Sequence, residues 1–207
     1  MKCKFCKTKF EPKRFLQKYC METDECMSAF VIYAKEVTQK NKNKIRIKEK
    51  KELKEKYNGI PEYKKLLETE INRICCLIDK SSGCISCNGQ TTPQAGHYHS
   101  VHSNGSIRYN LDNLHLQDYG CNCEKGANIH KYDLGLIKRY GKEYWEYVKF
   151  DIVSKFPLLK MAVFEYKEKI SLARQVVKHL KLENKTYSAI ERLELRKEYN
   201  EFLGIYK

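Results

Sequence analysis

The sequence predicts an α+β protein, mostly α-helical, in which small zinc-stapled units take the place of large cores. Three observations predict this. Eight of the ten cysteines fall into two groups of four, one in residues 3–26 and one in 84–123. Residues 81–132 shift in composition towards Gly, Asn, His and Ser, with short β-like runs only. On either side, apolar residues recur at helical spacing. The bulk properties narrow the class further. Forty Lys and Arg against 26 Asp and Glu give a formal charge of +14, an excess that points to a polyanionic partner, nucleic acid first. An anionic membrane surface is the alternative, but no apolar run approaches the roughly 20 residues that span a bilayer. The opening MKCKFCKTKF has no apolar stretch suited to secretion. The expectation is a cytoplasmic protein, where closely spaced cysteines mean zinc more often than disulfides.

Taken in order, residues 1–34 read as a four-cysteine zinc knuckle. Cys3-x2-Cys6 is a standard thiolate pair, and Cys20-x5-Cys26 is a looser one. Residues 35–80 form a basic helical arm. Its first part, 35–56, holds ten Lys or Arg and four Glu with no Gly or Pro. It is either a solvated helix or linker, or an arm that tracks phosphates. Asn58–Pro61 is a break. Beyond it, Leu66, Leu67, Ile71, Ile74, Cys75 and Ile78 mark an amphipathic helix. Adjacent Cys75 and Cys76 diverge by about 100° on that helix and read as core fillers, not co-ligands.

Residues 81–132 carry the chemistry, with short strands expected at His97–Val101 and Ile107–Tyr109. The remainder, 133–207, is helical. Gly141 ends one helix, Tyr144 to Val153 mark another, and Pro157 is expected to start a third. Along that third helix Leu159, Val163, Tyr166, Ile170, Ala173, Val177 and Leu180 form a heptad-like seam. It serves a helix of the same chain or a homodimer contact. Ser188-x2-Glu191 is a capping box for a last helix.

Within the central segment, Cys84-x2-Cys87 needs a second pair to close a tetrahedral zinc site. Cys121 is one member, and Asp118 or Cys123 is the other. Four of the six histidines, His97, His99, His102 and His115, lie between 97 and 115. Asn113 and Asn122 accompany them. Imidazole is the natural general base near neutral pH, and an amide oxygen is a hard ligand suited to Mg²⁺. Phosphodiester hydrolysis needs both: water must be activated and charge on oxygen neutralised.

The order Cys-x2-Cys, His, Asn, Cys-Asn, Lys is that of HNH nucleases, whose finger is a ββα-metal unit. The chain resembles the NinG/Rap family of phage recombination endonucleases. The resemblance is carried by Cys84-Ile85-Ser86-Cys87, Ala95-Gly96-His97-Tyr98, Arg108-Tyr109-Asn110, Asn113-Leu114-His115 with Gln117, Cys121-Asn122, Lys125, Asn128, Tyr132 and Leu136–Gly141. It runs from residue 1 to about 175 and leaves the last thirty residues unplaced. It implies a zinc-stapled HNH finger flanked by helices, and cleavage of branched DNA such as Holliday junctions and D-loops with Mg²⁺ or Mn²⁺. The setting would be the host cytoplasm. By position it makes His97 the general base, Asn113 the orienting residue and Asn122 a metal ligand. His115 would be a ligand or phosphate contact. His99 is a second candidate ligand and a DNA contact. Arg108 and Lys125 are further DNA contacts. Two departures stand out. Gly96 occupies the place where many HNH enzymes carry an acidic ligand, and Asp118 stands where the family usually has cysteine.

Overall fold

The structure is a computed structural model describing residues 1–15, 17–57, 59–89 and 91–206, with the side chains of 54–57 left aside. It divides into two compact units, residues 1–58 and 59–207. It is mostly helical with one small sheet, as the α+β expectation requires.

In the first unit, α1 (Asp24–Tyr57) runs on from the knuckle without a break. Its good helix formers carry it, and almost all of its residues from 35 onwards are exposed. The N-terminal 23 residues fold over a core of Cys3, Phe10, Tyr19 and Cys26. So small an apolar cluster cannot hold a unit by burial alone.

In the second unit, α2 (Ile60–Ile78) starts where Gly59 breaks the chain; Asn58, the other half of the expected break, lies outside the described residues. The Gly59 amide donates to Glu62 Oε2 at 2.9 Å, closing the first turn. The sheet is one antiparallel ribbon of β1 (Pro93–His97) and β2 (Leu114–Asp118), in the register Gly96 opposite His115. This corrects the expected strands. His97 ends the first strand where it was expected to begin one, and 107–109 lies in and after a 3₁₀ turn. Ile107 and Tyr109 are buried because that turn folds inward, which an apolar–polar alternation cannot distinguish from a strand.

Next come α3 (Ile129–Tyr140), α4 (Lys142–Glu146) and α5 (Ile152–Lys155), the last two joined by a π turn. Gly141 ends α3 as expected. The following helix, α6, does not begin at Pro157 but at Val163 and runs to Glu183. The preceding segment packs Leu159 and Met161, two residues apart, against the core, which is extended-chain spacing. Glu165 then closes the first turn by accepting from the Ala162 amide at 2.7 Å. The heptad-like seam is internal: Tyr166, Ile170, Ala173, Val177 and Leu180 share one core with Leu67, Ile71 and Ile74 of α2. They are therefore spent within the chain and leave no dimer seam. The last helix, α7 (Ala189–Leu203), is capped by Ser188 and Glu191 as expected. Among the described residues no helix is long and apolar enough to cross a membrane.

Candidate metal and nuclease site

The two Cys-x2-Cys segments adopt one loop twice. In the first, the Cys3 amide donates to the Thr8 carbonyl and the Lys7 amide to the Cys3 carbonyl, at 2.9 and 3.1 Å. In the second, Cys84 donates to Gly89 and Asn88 to Cys84, both at 2.8 Å. Lys7 and Asn88, each following the second cysteine, sit at φ of 63° and 61°. Each turn aims two thiols and surrounding amides at one point, as a thiolate-bound cation requires. The Sγ atoms of Cys3, Cys6, Cys20 and Cys26 all lie within 4.8 Å of one another, and so do those of Cys84, Cys87 and Cys121. These groups could each hold a metal ion, and four thiolates, or three with a carboxylate, suit zinc.

Of the two candidates for the eighth ligand, Asp118 faces the thiols, although it stands outside the group of three that share 4.8 Å. Its Oδ2 lies 3.7 Å from Cys87 Sγ. Gly89 permits this approach, since a Cβ there would stand 2.3 Å from Oδ2. Cys123 is exposed and turned to Gln94, 3.9 Å away.

His97 closes β1 on the face towards α2, shared with Ala95 and its partners Leu114 and Leu116. Its Nε2 lies 3.1 Å from the Arg108 carbonyl. A carbonyl only accepts, so Nε2 carries the proton and Nδ1 is left as the basic atom. Burial lowers the His97 pKa, which the Arg108 carbonyl and the charge of Glu68 partly offset. Glu68, on α2, is paired with Arg108 at 2.9 Å. One turn further along the same flank of α2, the amide oxygen of Asn72 is buried with no partner among the described residues.

Asn113 is fully buried and holds both polar groups of His99: it accepts from the His99 amide at 2.8 Å and donates to its carbonyl at 3.1 Å. It thus pins the chain just past His97, an orienting task. His99 has its Nε2 committed to the Val148 carbonyl at 2.7 Å, which leaves only Nδ1 for a ligand or DNA contact. His115 also departs from expectation. It is completely buried, with Nδ1 3.0 Å from the Tyr132 hydroxyl and Nε2 facing Tyr144. Strand alternation points it towards α3, away from His97, so it is a core histidine and neither ligand nor phosphate contact. Arg108 is committed to Glu68, which argues against its use on phosphate in this state. Lys125 and His102 are exposed.

Asn122 lies in a π turn (Gly120–Glu124) before α3, not on the helix. Its position follows from the ribbon. The Tyr98 amide and Thr92 carbonyl point at the β2 side, so by alternation the polar groups of Ala95 and His97 point to the open edge of β1. Asn122 donates to the Ala95 carbonyl at 3.5 Å and to Gln94 Oε1 at 3.0 Å. Asn122 thus sits at that open edge, whereas the His97 ring turns to the α2 face, two residues further along the strand. No contact joins them.

Gly96 is explained by packing. A Cβ there would lie 2.0 Å from Gln117 Oε1, and that oxygen is itself buried with no partner among the described residues. Gln117 fills the space that an acidic side chain at 96 would need. Nothing near the motif marks Glu68 or Asn72, which come from a separate helix.

A cysteine-lined ribbon followed by a helix, with an imidazole on one face and an amide at its open edge, marks a protein whose cysteine clusters could hold metal ions. The family model described as "Bacteriophage Lambda NinG protein" matches residues 1–183, and the chain belongs to that family. Among curated relatives, protein ninG of Escherichia phage 933W is 29% identical over 158 residues, covering 69% of this chain and 76% of that protein. Protein ninG of Escherichia phage lambda is 39% identical over 67 residues, covering 31% of this chain and 33% of that protein. Protein ninG of Salmonella phage P22 is 37% identical over 65 residues, covering 30% and 32%. The chain thus spans only about a third of the lambda and P22 relatives in these matches. No solved structure matches.

Proposed function

We propose that this protein is a divalent-metal-dependent DNA endonuclease of the HNH type, acting on branched recombination intermediates. The observation that carries the reading is His97: a partly buried imidazole at a strand end, kept neutral by burial, with its tautomer fixed so that Nδ1 is basic. Nδ1 takes the proton from the attacking water. Glu68 then faces the imidazolium and favours it. Asn113 holds the chain beyond His97 in place, which keeps the imidazole against the Arg108 carbonyl.

The donor at the edge fits Mg²⁺ or Mn²⁺ better than zinc, because the Asn122 amide offers a hard oxygen. Asn122 would hold the ion at the open edge, with its other ligands from water and the phosphate, while Glu68 stays with Arg108. When bound, the ion supplies charge neutralisation at the phosphate. The net charge of +14 supports DNA as the partner, and the preference for branches rests on the sequence resemblance.

The test is cleavage of a labelled four-way junction, a D-loop and a duplex by wild type and His97→Ala, with Mg²⁺, Mn²⁺ or neither. The reading requires metal-dependent cuts that fall by about 10²–10⁴-fold in the variant while its thermal unfolding is unchanged. A second reading, a DNA-binding protein without chemistry, is favoured by the lack of a carboxylate at Gly96. Tight junction binding with no cuts under either metal would establish it.

A further inference from the structure

The first unit holds a groove that phosphodiester chemistry at His97 does not use. Its walls are Phe15, Tyr19, Phe30 and Tyr33, with Lys13 and Arg14 at the rim, and it encloses about 590 Å³. Phe15 is 93% exposed, an unusual position for a phenyl ring. Tyr19 is packed at 6.0 Å from Phe30 and 5.5 Å from Tyr33, centroid to centroid, so the inner wall is fixed. Lys18 donates to the Tyr33 hydroxyl at 3.0 Å and braces it. Cys20, one of the clustered thiols, lines the same groove, so the metal-holding loop also builds the wall.

Charge selects the occupant. Residues 1–20 contain seven Lys or Arg and one Glu, which disfavours a basic or neutral peptide. Glu11 and Glu22 also line the groove, and the cations outnumber them. Aromatic faces within a cationic surface match a polyanion that offers flat π-surfaces. That describes unpaired nucleotides: each base has a face to stack and each linkage a charge to pair. In a duplex the base faces are already stacked and closed to Phe15.

We propose that this groove binds single-stranded DNA, with Phe15 stacking on a base while Lys13 and Arg14 meet the flanking phosphates. The proposal stands apart from the nuclease reading, because it requires binding and no cleavage.

The experiment is fluorescence anisotropy with the full zinc-loaded chain carrying His97→Ala, so that no cutting intervenes. The probes are labelled oligo-dT of 15 nucleotides and a 15-base-pair duplex. Phe15→Ala should weaken oligo-dT binding about tenfold and leave duplex binding unchanged. Phe15→Trp should restore it. Because Phe15 is exposed, zinc content should match wild type in both variants. Lys13→Ala with Arg14→Ala should lower the salt slope for oligo-dT by about 1.4 at 0.7 per phosphate. Unchanged oligo-dT affinity in Phe15→Ala, or equal losses on both probes, would overturn the proposal.

Discussion

Arg196 and Asp79 form a completely buried ion pair at 2.7 Å, joining α7 to the end of α2. The same Asp79 oxygen accepts from the Leu116 amide on β2 at 3.0 Å, and Arg196 also reaches the Leu111 and Leu114 carbonyls. The last helix, which the family resemblance left unplaced, thus adds a tie between the ribbon and the core beside the direct one from Asp79. Arg196→Ala leaves a buried carboxylate without its charge partner, so a loss of about 3–5 kcal/mol is expected. Urea unfolding monitored by circular dichroism measures it. Arg196→Lys should recover only part, since one ammonium cannot span three acceptors.

Metal content separates the two cysteine sites. Native mass spectrometry should find two zinc ions per chain. Cys84→Ser should lose one while the first unit keeps its own. Asp118→Asn should weaken that same ion, whereas Cys123→Ser should not. A loss in Cys123→Ser equal to that in Asp118→Asn would reverse the ligand assignment.

Acid should destabilise the second unit through His115. Burial holds its pKa well below 6.5 in the fold, while the unfolded chain titrates near 6.5. Above that value both states carry neutral imidazole and the stability is fully present. Below it the unfolded state binds the extra proton, so stability falls with pH, by up to about 1.4 kcal/mol per unit for one site. His115→Gln should flatten that part of the profile measured by denaturant titration between pH 7 and 5.

The pH–rate profile of cleavage should report His97 directly. Its pKa is lowered from 6.5 by burial, so the active neutral form should persist below the usual histidine range. Single-turnover rates should fall only at pH values under 6.5. An acid limb centred above 7 would exclude His97 as the base.

Asn113→Ala should free the chain after His97 by removing two bonds to His99. Cleavage should drop by more than stability alone accounts for, and amide hydrogen exchange at residues 98–100 should rise. An activity loss with unchanged exchange would show that Asn113 acts otherwise.

Much of this fold is legible because local chemistry decides it. Ser188 with Glu191, Gly141, and the paired cysteines set caps and knuckles within a few residues of themselves. The seam on α6 is visible too, although only packing shows that α2 receives it. The strands are not legible in the same way. Pro93–His97 has little β propensity, and it becomes a strand because Leu114–Asp118 and the cysteine site hold it there. The clustering of the thiols is legible from their spacing. His115 is misread, since a histidine in a motif carries no mark of whether its ring faces solvent or core. Glu68, contributed by α2, leaves no trace near the motif.

The Arg196 clasp also has a meaning for synthesis. A chain emerging from the ribosome amino end first would present the cysteine loops, the ribbon and His97 before α7 exists. Until α7 arrives, Asp79 has the Leu116 amide but no charge partner. The packing around β2 is therefore completed only once α7 has been made, well after the ribbon itself.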